Sequence, residues 1–515
     1  MGSQISRRGF LKSILLLPLI SLTPLLNKQP RFVDEMNTMP QNQGAPNVLI
    51  LVFDALSAKH MSLYGYNRET TPYLTKFAER ATVYHAHYAG GNFTVPGVSS
   101  LLTGTYPWSH RAFNVGATMA ENYKHRNLFR VFAGETDNRI AYTHNPLANA
   151  LLNQLHEDID SYLSPRRFSL FDSHLSGRVF LNDTDIAYRS EEFLLSEKTP
   201  GSLFISLADK TWSHVYEESV KREWPNLYPR GLPKSTIKSL FLLEHIIDGI
   251  KTLISDTRQP FLGYFHLLPP HEPYRPHRAF IGLFDDGWAP VVKKPHLFSQ
   301  GFSDKVLNQL RREYDEYLAY SDAEFGRLYD FMEQTGMLNN TYLVFTSDHG
   351  QMFERGIHGH GTSVLYEPII RIPLLISKPK QQREDVYAPT SCVDLLPTLL
   401  RVTGQAIPDW CEGEVLPTFG GKEASSRRSI FSVEAKYNPK HAPLAKGTVA
   451  LVKDQYKLIH YFGYDGYENE YELYDLANDP EEMEDLYLSR KSIAAGLQSE
   501  LEKKLRDVNQ PYFNK

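Results

Sequence analysis

At 515 residues, 42% hydrophobic and 22% charged, the chain is long enough to bury a large core and too evenly mixed to be a low-complexity or disordered polymer. A net charge of -5 gives no electrostatic footprint for nucleic acid. Two cysteines, Cys392 and Cys411, exclude a disulfide scaffold and read as unrelated buried thiols.

The N-terminus carries the first signal. Ser6-Arg-Arg-Gly-Phe-Leu-Lys12, followed by an apolar run from Ile14 to Leu26 broken by Pro18 and Pro24, resembles a twin-arginine export signal with Arg7 and Arg8 as the pair. The run is short for a bilayer span. The expectation is therefore an exported, periplasmic or extracytoplasmic protein that meets the twin-arginine export machinery. No clear small-x-small cleavage site follows, which leaves an uncleaved membrane anchor as the other outcome. Residues 1–30 read as signal or anchor and residues 31–46 as linker.

Folding is expected to begin at Asn47, where Asn-Val-Leu-Ile-Leu-Val-Phe-Asp54 has the continuous apolar character of a strand buried on both faces. Phe261 to His266, Thr341 to Thr346 and Ile372 to Ile376 repeat that character. A helical stripe of Leu307, Leu310, Tyr314, Tyr317, Leu318, Phe325, Leu328 and Met332 lies between them. Strands alternating with helices predict an α/β fold, a doubly wound, mainly parallel sheet flanked by helices, over residues 47–424. The segment from about 152 to 245 has no clear pattern and is expected to supply substrate-facing loops and helices. From 425 to 515 short strands at Val449 to Lys453, Tyr456 to Phe462 and Glu472 to Tyr474, then a helix at Ile493 to Val508, predict a small antiparallel α+β subdomain.

In parallel α/β sheets ligands gather at the carboxyl ends of strands. Asp54 ends the first strand, and Asp348 and His349 follow a later one; together they make a divalent-metal set, although each alone reads as a turn or cap residue. Thr94-Val-Pro-Gly-Val-Ser-Ser-Leu-Leu-Thr-Gly104 places Pro96 in the first turn of a helix, with Thr94 just before it, where backbone N–H groups favour an anion. The plain alternative for Thr94 is an N-cap. An unassisted threonine is a poor nucleophile, and a metal would supply what it lacks. His271 and His360, in Pro- and Gly-rich loops, are candidates for neutralising an ester oxygen or protonating a leaving group.

The ordered set of Asp54, Tyr64-Gly-Tyr66 with Thr70-Thr-Pro72, Thr94-x-Pro96 with Leu101-Leu-Thr-Gly104, Pro270-His-x-Pro-Tyr274, Ser347-Asp-His-Gly350 and Tyr366-Glu367 with Arg371-Ile-Pro-Leu-Leu-Ile376 resembles the sulfatase family of the alkaline phosphatase superfamily. Glu472-Leu-Tyr-Asp-Leu-Ala-Asn-Asp-Pro-Glu481 is similar to that family's C-terminal subdomain. The resemblance implies that Asp54, Thr94, Asp348 and His349 hold one metal ion, that Thr94 is the nucleophile, and that His271 binds substrate or acts as an acid. His360 matches a position that is lysine in many sulfatases and histidine in the phosphoethanolamine and phosphoglycerol transferases.

The departures are as informative. The family's Cys/Ser-x-Pro-x-Arg box reads Thr94-Val-Pro96-Gly97-Val98 here, and the usual second aspartate is Ala55. Threonine lacks the geometry for oxidation to formylglycine, and a sulfated threonine cannot collapse to an aldehyde. A phosphorylated threonine is instead released by in-line attack at phosphorus. The expected function is an exported, metal-dependent hydrolase or transferase (a phosphotransferase or a phosphodiesterase) of phosphate-type esters, working through a Thr94 covalent intermediate with one calcium, magnesium, manganese or zinc ion. The expected substrate is an anionic ester, with an envelope lipid or glycan as its source. Two alternatives stand beside it: a sulfuric ester hydrolase by a non-formylglycine route, and a catalytically silent relative that binds anions or glycans.

Overall fold

The computed structural model describes residues 45–134, 138–171, 224–235, 240–420, 428–467 and 470–513. The twin-arginine motif, most of the linker and the expected boundary near residue 425 lie outside the described residues. So does most of the segment from 152 to 245.

The main sheet has eight strands: β1 (Asn47–Phe53), β2 (Thr82–Tyr84), β3 (Arg139–Thr143), β4 (Ser161–Tyr162), β5 (Leu262–Leu267), β6 (Thr341–Thr346), β7 (Leu374–Ser377) and β8 (Glu384–Val386). Their spatial order is β8-β2-β7-β6-β1-β5-β3-β4. β6, β1, β5, β3 and β4 run parallel, whereas β7 is antiparallel to both of its neighbours. The run expected from Ile372 to Ile376 is therefore a strand that starts two residues later, ends one residue later and runs in the reverse direction. Pro373 has no N–H for the ladder, so pairing starts after it.

The helices that matter are α1 (Pro72–Ala78), α2 (Thr94–Thr103), α3 (Pro146–Gln154), α4 (Leu243–Asp256), α5 (Asp304–Gln334), α6 (Leu395–Val402) and α7 (Lys491–Asn509). All seven β1 residues are buried because both faces of the sheet are covered. Strand alternation sends Leu49, Leu51 and Phe53 to a core with α1, α4 and α5. Val48, Ile50 and Val52 go to a second core with α2, α3 and α6. Each such side chain contributes about 1.5–3 kcal/mol on burial. In the predicted α5 stripe all but Leu310 are fully buried.

The C-terminal sheet is antiparallel, in the order β9 (Ile430–Glu434), β10 (Gly447–Lys453), β11 (Tyr456–Phe462) and β12 (Glu470–Asp475). It gains β9, which the sequence pattern did not reveal. Ala494, Leu497 and Leu501 of α7 pack onto it, in one core with Tyr106 and with Trp108 of the short Pro107–His110 helix that follows α2. Residues Gln43–Lys515 thus form one compact unit. Both cysteines are free; Cys392 is buried as expected, but Cys411 is only half-buried. Among the described residues no helix is long and apolar enough to cross a membrane.

Candidate active site

Four adjacent parallel strands bring the site together at their carboxyl ends. The ladder sets Val52 of β1 opposite both His266 of β5 and Thr346 of β6, and His266 opposite Thr143 of β3. Asp54, Ser347-Asp348-His349 and His144-Asn145 therefore leave the sheet at one level. The Ser347 hydroxyl ties the β1 and β6 ends, bonding Phe53 O at 2.6 Å and accepting from Leu56 N at 2.9 Å. Ala55, where the family has its second aspartate, is buried with φ 59°. That left-handed backbone costs an alanine about 1–2 kcal/mol, and it lets the Ala55 N–H donate to Asp348 Oδ1 at 3.3 Å.

Asp54, Asp348 and His349 offer ligand atoms that all lie within 4.8 Å of one another, and all three are buried. Asp54 Oδ1 and Asp348 Oδ2 have no hydrogen-bond partner among the described residues. Two buried carboxylates facing one point repel each other unless a cation lies between them. Burial and the Asp54 charge push Asp348 above the ordinary carboxylate range. Burial also opposes ionisation of Asp54, but His271, His266 and His349 outweigh it and hold that carboxyl low. Two carboxylates and an imidazole with orphaned, buried oxygens fit a divalent cation.

Thr94 stands beside this set. It is the first residue of α2, not the residue before it, and Phe93 occupies the N-cap position without a side-chain hydrogen bond. The Thr94 hydroxyl is therefore not spent on capping. Its Oγ1 lies 3.4 Å from His349 Nε2 and 3.3 Å from Asn145 Nδ2. Gly97 permits this approach, because a Cβ there would sit 2.2 Å from the Asp348 carbonyl oxygen. Val98, at the box arginine position, is fully buried in the apolar core and presents no charge to the site.

Thr94, Asn145, Leu268, His271, His360 and Lys436 line a cavity of about 190 Å³. The His360 ring lies 4.2 Å from that of His349 and 4.9 Å from that of His271. His271 Nδ1 donates to Glu272 O at 2.8 Å. Gln351 turns its Oε1 to His360 Nδ1 at 2.6 Å and its Nε2 to Tyr274 Oη at 2.8 Å, and Tyr274 Oη meets His358 Nε2 at 3.1 Å. In this arrangement His360 Nδ1 carries the hydrogen and Nε2 the lone pair. Burial, then the positive ends of His349 and His271, hold His360 well below the ordinary imidazole value.

The structure thus gathers Asp54, Thr94, Asp348, His349, His271 and His360 at one place. Sequence reasoning missed Asn145, Gln351 and Lys436, and named His266 only as the head of the segment that carries His271. Asn145 donates from Nδ2 to Asp54 Oδ2 as well, while its Oδ1 caps α3 by accepting from Leu147 N and Ala148 N. A buried strand ending in Thr-His-Asn-Pro was the available signal. His266 Nε2 lies 3.3 Å from Asp54 Oδ2 and 3.8 Å from Asp348 Oδ2. Burial lowers its pKa, but the two carboxylates raise it further, above the ordinary value.

The Sulfatase family model matches residues 46–405, and the model for the C-terminal region of N-sulphoglucosamine sulphohydrolase matches residues 356–511. Choline-sulfatase of Rhizobium meliloti (strain 1021) is 25% identical over 471 residues, spanning 86% of this chain and 82% of that protein. N-acetylglucosamine-6-O-sulfatase of Bacteroides thetaiotaomicron is 24% identical over 533 residues, spanning 97% and 91%. The crystal structure of the phosphonate monoester hydrolase of Agrobacterium radiobacter superposes with a TM-score of 0.62 at 17% identity, covering 90% of this chain and 95% of that one. That last likeness establishes the fold.

Proposed function

The chain belongs to the sulfatase family, a sulfatase-like hydrolase, and from that premise we propose that it cleaves or transfers phosphate-type esters with Thr94 as nucleophile. The observation that supports this reading most is the placement of Thr94 Oγ1, free of capping, at the head of α2 between His349 and Asn145 and open to the cavity. The N–H groups and dipole at the start of α2 favour the anionic ester beside it. A divalent cation held by Asp54, Asp348 and His349 would lower the charge on the ester oxygens and favour the alkoxide form of Thr94. Asn145 orients the Thr94 hydroxyl. Attack by Thr94 Oγ1 at phosphorus forms the Oγ1–P bond as its hydroxyl proton passes to the lone pair on His360 Nε2, and it breaks the bond to the leaving oxygen, which takes a proton from His271 at the cavity wall. In the second step His271 takes the proton of the water or acceptor alcohol that attacks phosphorus, and His360 returns its proton to the departing Thr94 oxygen.

Threonine also bears on the choice between phosphorus and sulfur. A sulfate ester of threonine has no aldehyde to collapse to, whereas a phosphorylated threonine is released by in-line displacement. Hydrolysis of sulfate esters by another route is the second reading, favoured by the activities named for the family relatives. Turnover of aryl phosphomonoester, phosphodiester, phosphonate and sulfate substrates, each with calcium, magnesium, manganese or zinc, decides between them, with Thr94→Ala as control. Turnover of sulfate esters alone sinks the phosphorus reading.

Export through the twin-arginine route is part of the same proposal and rests on Arg7 and Arg8. Replacing both with lysine should strand the protein in the cytoplasm; undiminished export of that variant refutes it.

A further inference from the structure

A second cavity, of about 490 Å³, shares no lining residue with the one at Thr94. Its size falls in the range of small-ligand sites. It lies between the loop after β1, the 288–291 segment, the α5 side chain Arg311 and the Arg371 segment. Tyr66 and Trp288 form one wall, with rings edge to face at 5.4 Å. The Arg68 guanidinium sits 5.0 Å from the Trp288 ring centre and is itself fixed by Asp286 and Asp315. The wall is therefore built in advance of any ligand.

The charges around this cavity do not balance within it. Glu354 and Glu481 are met by Lys293 at 2.9 Å each, and Glu481 also by Lys59. Asp315 is taken by His60, Tyr66 and Arg68. Arg311 is only 5% exposed, yet its guanidinium donates to Asn308 Oδ1 and the Phe353 carbonyl and has no ion-pair partner among the described residues. Arg371 likewise donates to His85 O at 2.9 Å and has none. Two guanidiniums without an ion-pair partner among the described residues border a cavity with an aromatic wall.

We infer that this cleft is a second binding site, for an anionic saccharide, separate from the Thr94 cavity and independent of its chemistry. Arginine forks match a sulfate or carboxylate group. The Trp288 and Tyr66 rings offer apolar faces to sugar C–H groups. Asn67 and Glu354 also line the cleft and bring polar atoms within it for sugar hydroxyls. A ligand held here while another residue occupies the Thr94 cavity would be polymeric.

The test is calorimetric titration of the full chain carrying Thr94→Ala, so that no probe is turned over. The probes are glucuronate, glucosamine 6-sulfate, glucose and inorganic sulfate. The cleft predicts saturable binding of both charged sugars with Kd of about 1 mM or tighter, and at least ten-fold weaker binding of glucose and of sulfate alone. Val291 borders the cleft and is 70% exposed, so Val291→Glu adds a negative charge without touching the core. It and Arg371→Gln should each weaken binding at least ten-fold, while Lys436→Met in the other cavity leaves it unchanged. Circular dichroism checks folding, and Trp288→Leu serves as the second cleft variant. The inference is overturned by no saturation, by glucose or sulfate binding as tightly as the charged sugars, or by binding that is lost with Lys436→Met and kept in both Val291→Glu and Trp288→Leu.

Discussion

Asn145 Nδ2 lies 3.3 Å from Thr94 Oγ1 and donates to the Asp54 carboxylate, so one amide joins the proposed nucleophile to a metal-set carboxylate. The same residue caps α3 with its Oδ1. Asn145→Ala should therefore fail twice. Turnover falls by about 10²-fold through loss of a positioned donor, and stability falls by about 1 kcal/mol through the lost cap. Asn145→Ser keeps much of the cap and should recover the stability but not the turnover, as steady-state kinetics and urea melts would show.

If the facing carboxylates of Asp54 and Asp348 hold a cation, its loss should cost stability. Chelation of the wild-type protein should lower its melting temperature, because an ion that binds only the folded state stabilises it by mass action. Asp348→Asn removes one of the two charges. It should bind divalent ions at least about 10²-fold more weakly and show little further change on chelation. Calorimetric metal titration with paired thermal melts checks both statements.

The line from His360 through Gln351 and Tyr274 to His358 predicts a subtler effect. Tyr274→Phe leaves the ring packed against Tyr314 and Phe353 but removes the hydroxyl that Gln351 and His358 share. The Gln351 amide is then free to turn, and His360 loses its fixed tautomer. The expected result is a kcat lower by about ten-fold with KM nearly unchanged and an altered pH profile. An unchanged profile would mean that Tyr274 does no more than fill space.

Much of this architecture is legible in the amino-acid sequence. Continuous apolar runs announce β1, β5 and β6, and the residues after β1 and β6 announce the buried Asp54, Asp348 and His349 cluster that could hold a metal. What escapes has physical reasons. β3 is a five-residue strand with a polar first residue, Arg139, so it lacks the apolar run that marks its neighbours. Asn145 follows that same weak strand and His266 closes the β5 run, and only the parallel register brings the two to Asp54. Lys436 comes from beyond β9, nearly 350 residues after Thr94, a proximity that no local pattern encodes. Phe93 takes the cap position expected of Thr94 because Thr94 already has helical geometry.

Away from the site, Asp322 of α5 accepts from Tyr73 N at 2.8 Å and Leu74 N at 2.9 Å, pinning α1. Burial pushes its carboxyl up to about 7. The unfolded group ionises near 3.8, so its contribution to stability is complete below that value and is lost as pH rises to about 7. The loss is on the order of 4 kcal/mol. Urea melts across this window should show a decline in the wild type that Asp322→Asn flattens; an equal slope in both contradicts the assignment.

The proposed covalent bond to Thr94 is tested most directly by mass spectrometry of acid-quenched enzyme after mixing with an aryl phosphonate ester. A phosphonyl adduct is expected on the peptide that contains Thr94, formed with a burst of phenol and absent from Thr94→Ala. Turnover of phosphorus esters with Thr94 unmodified, or sulfate-ester turnover that survives Thr94→Ala, would contradict it.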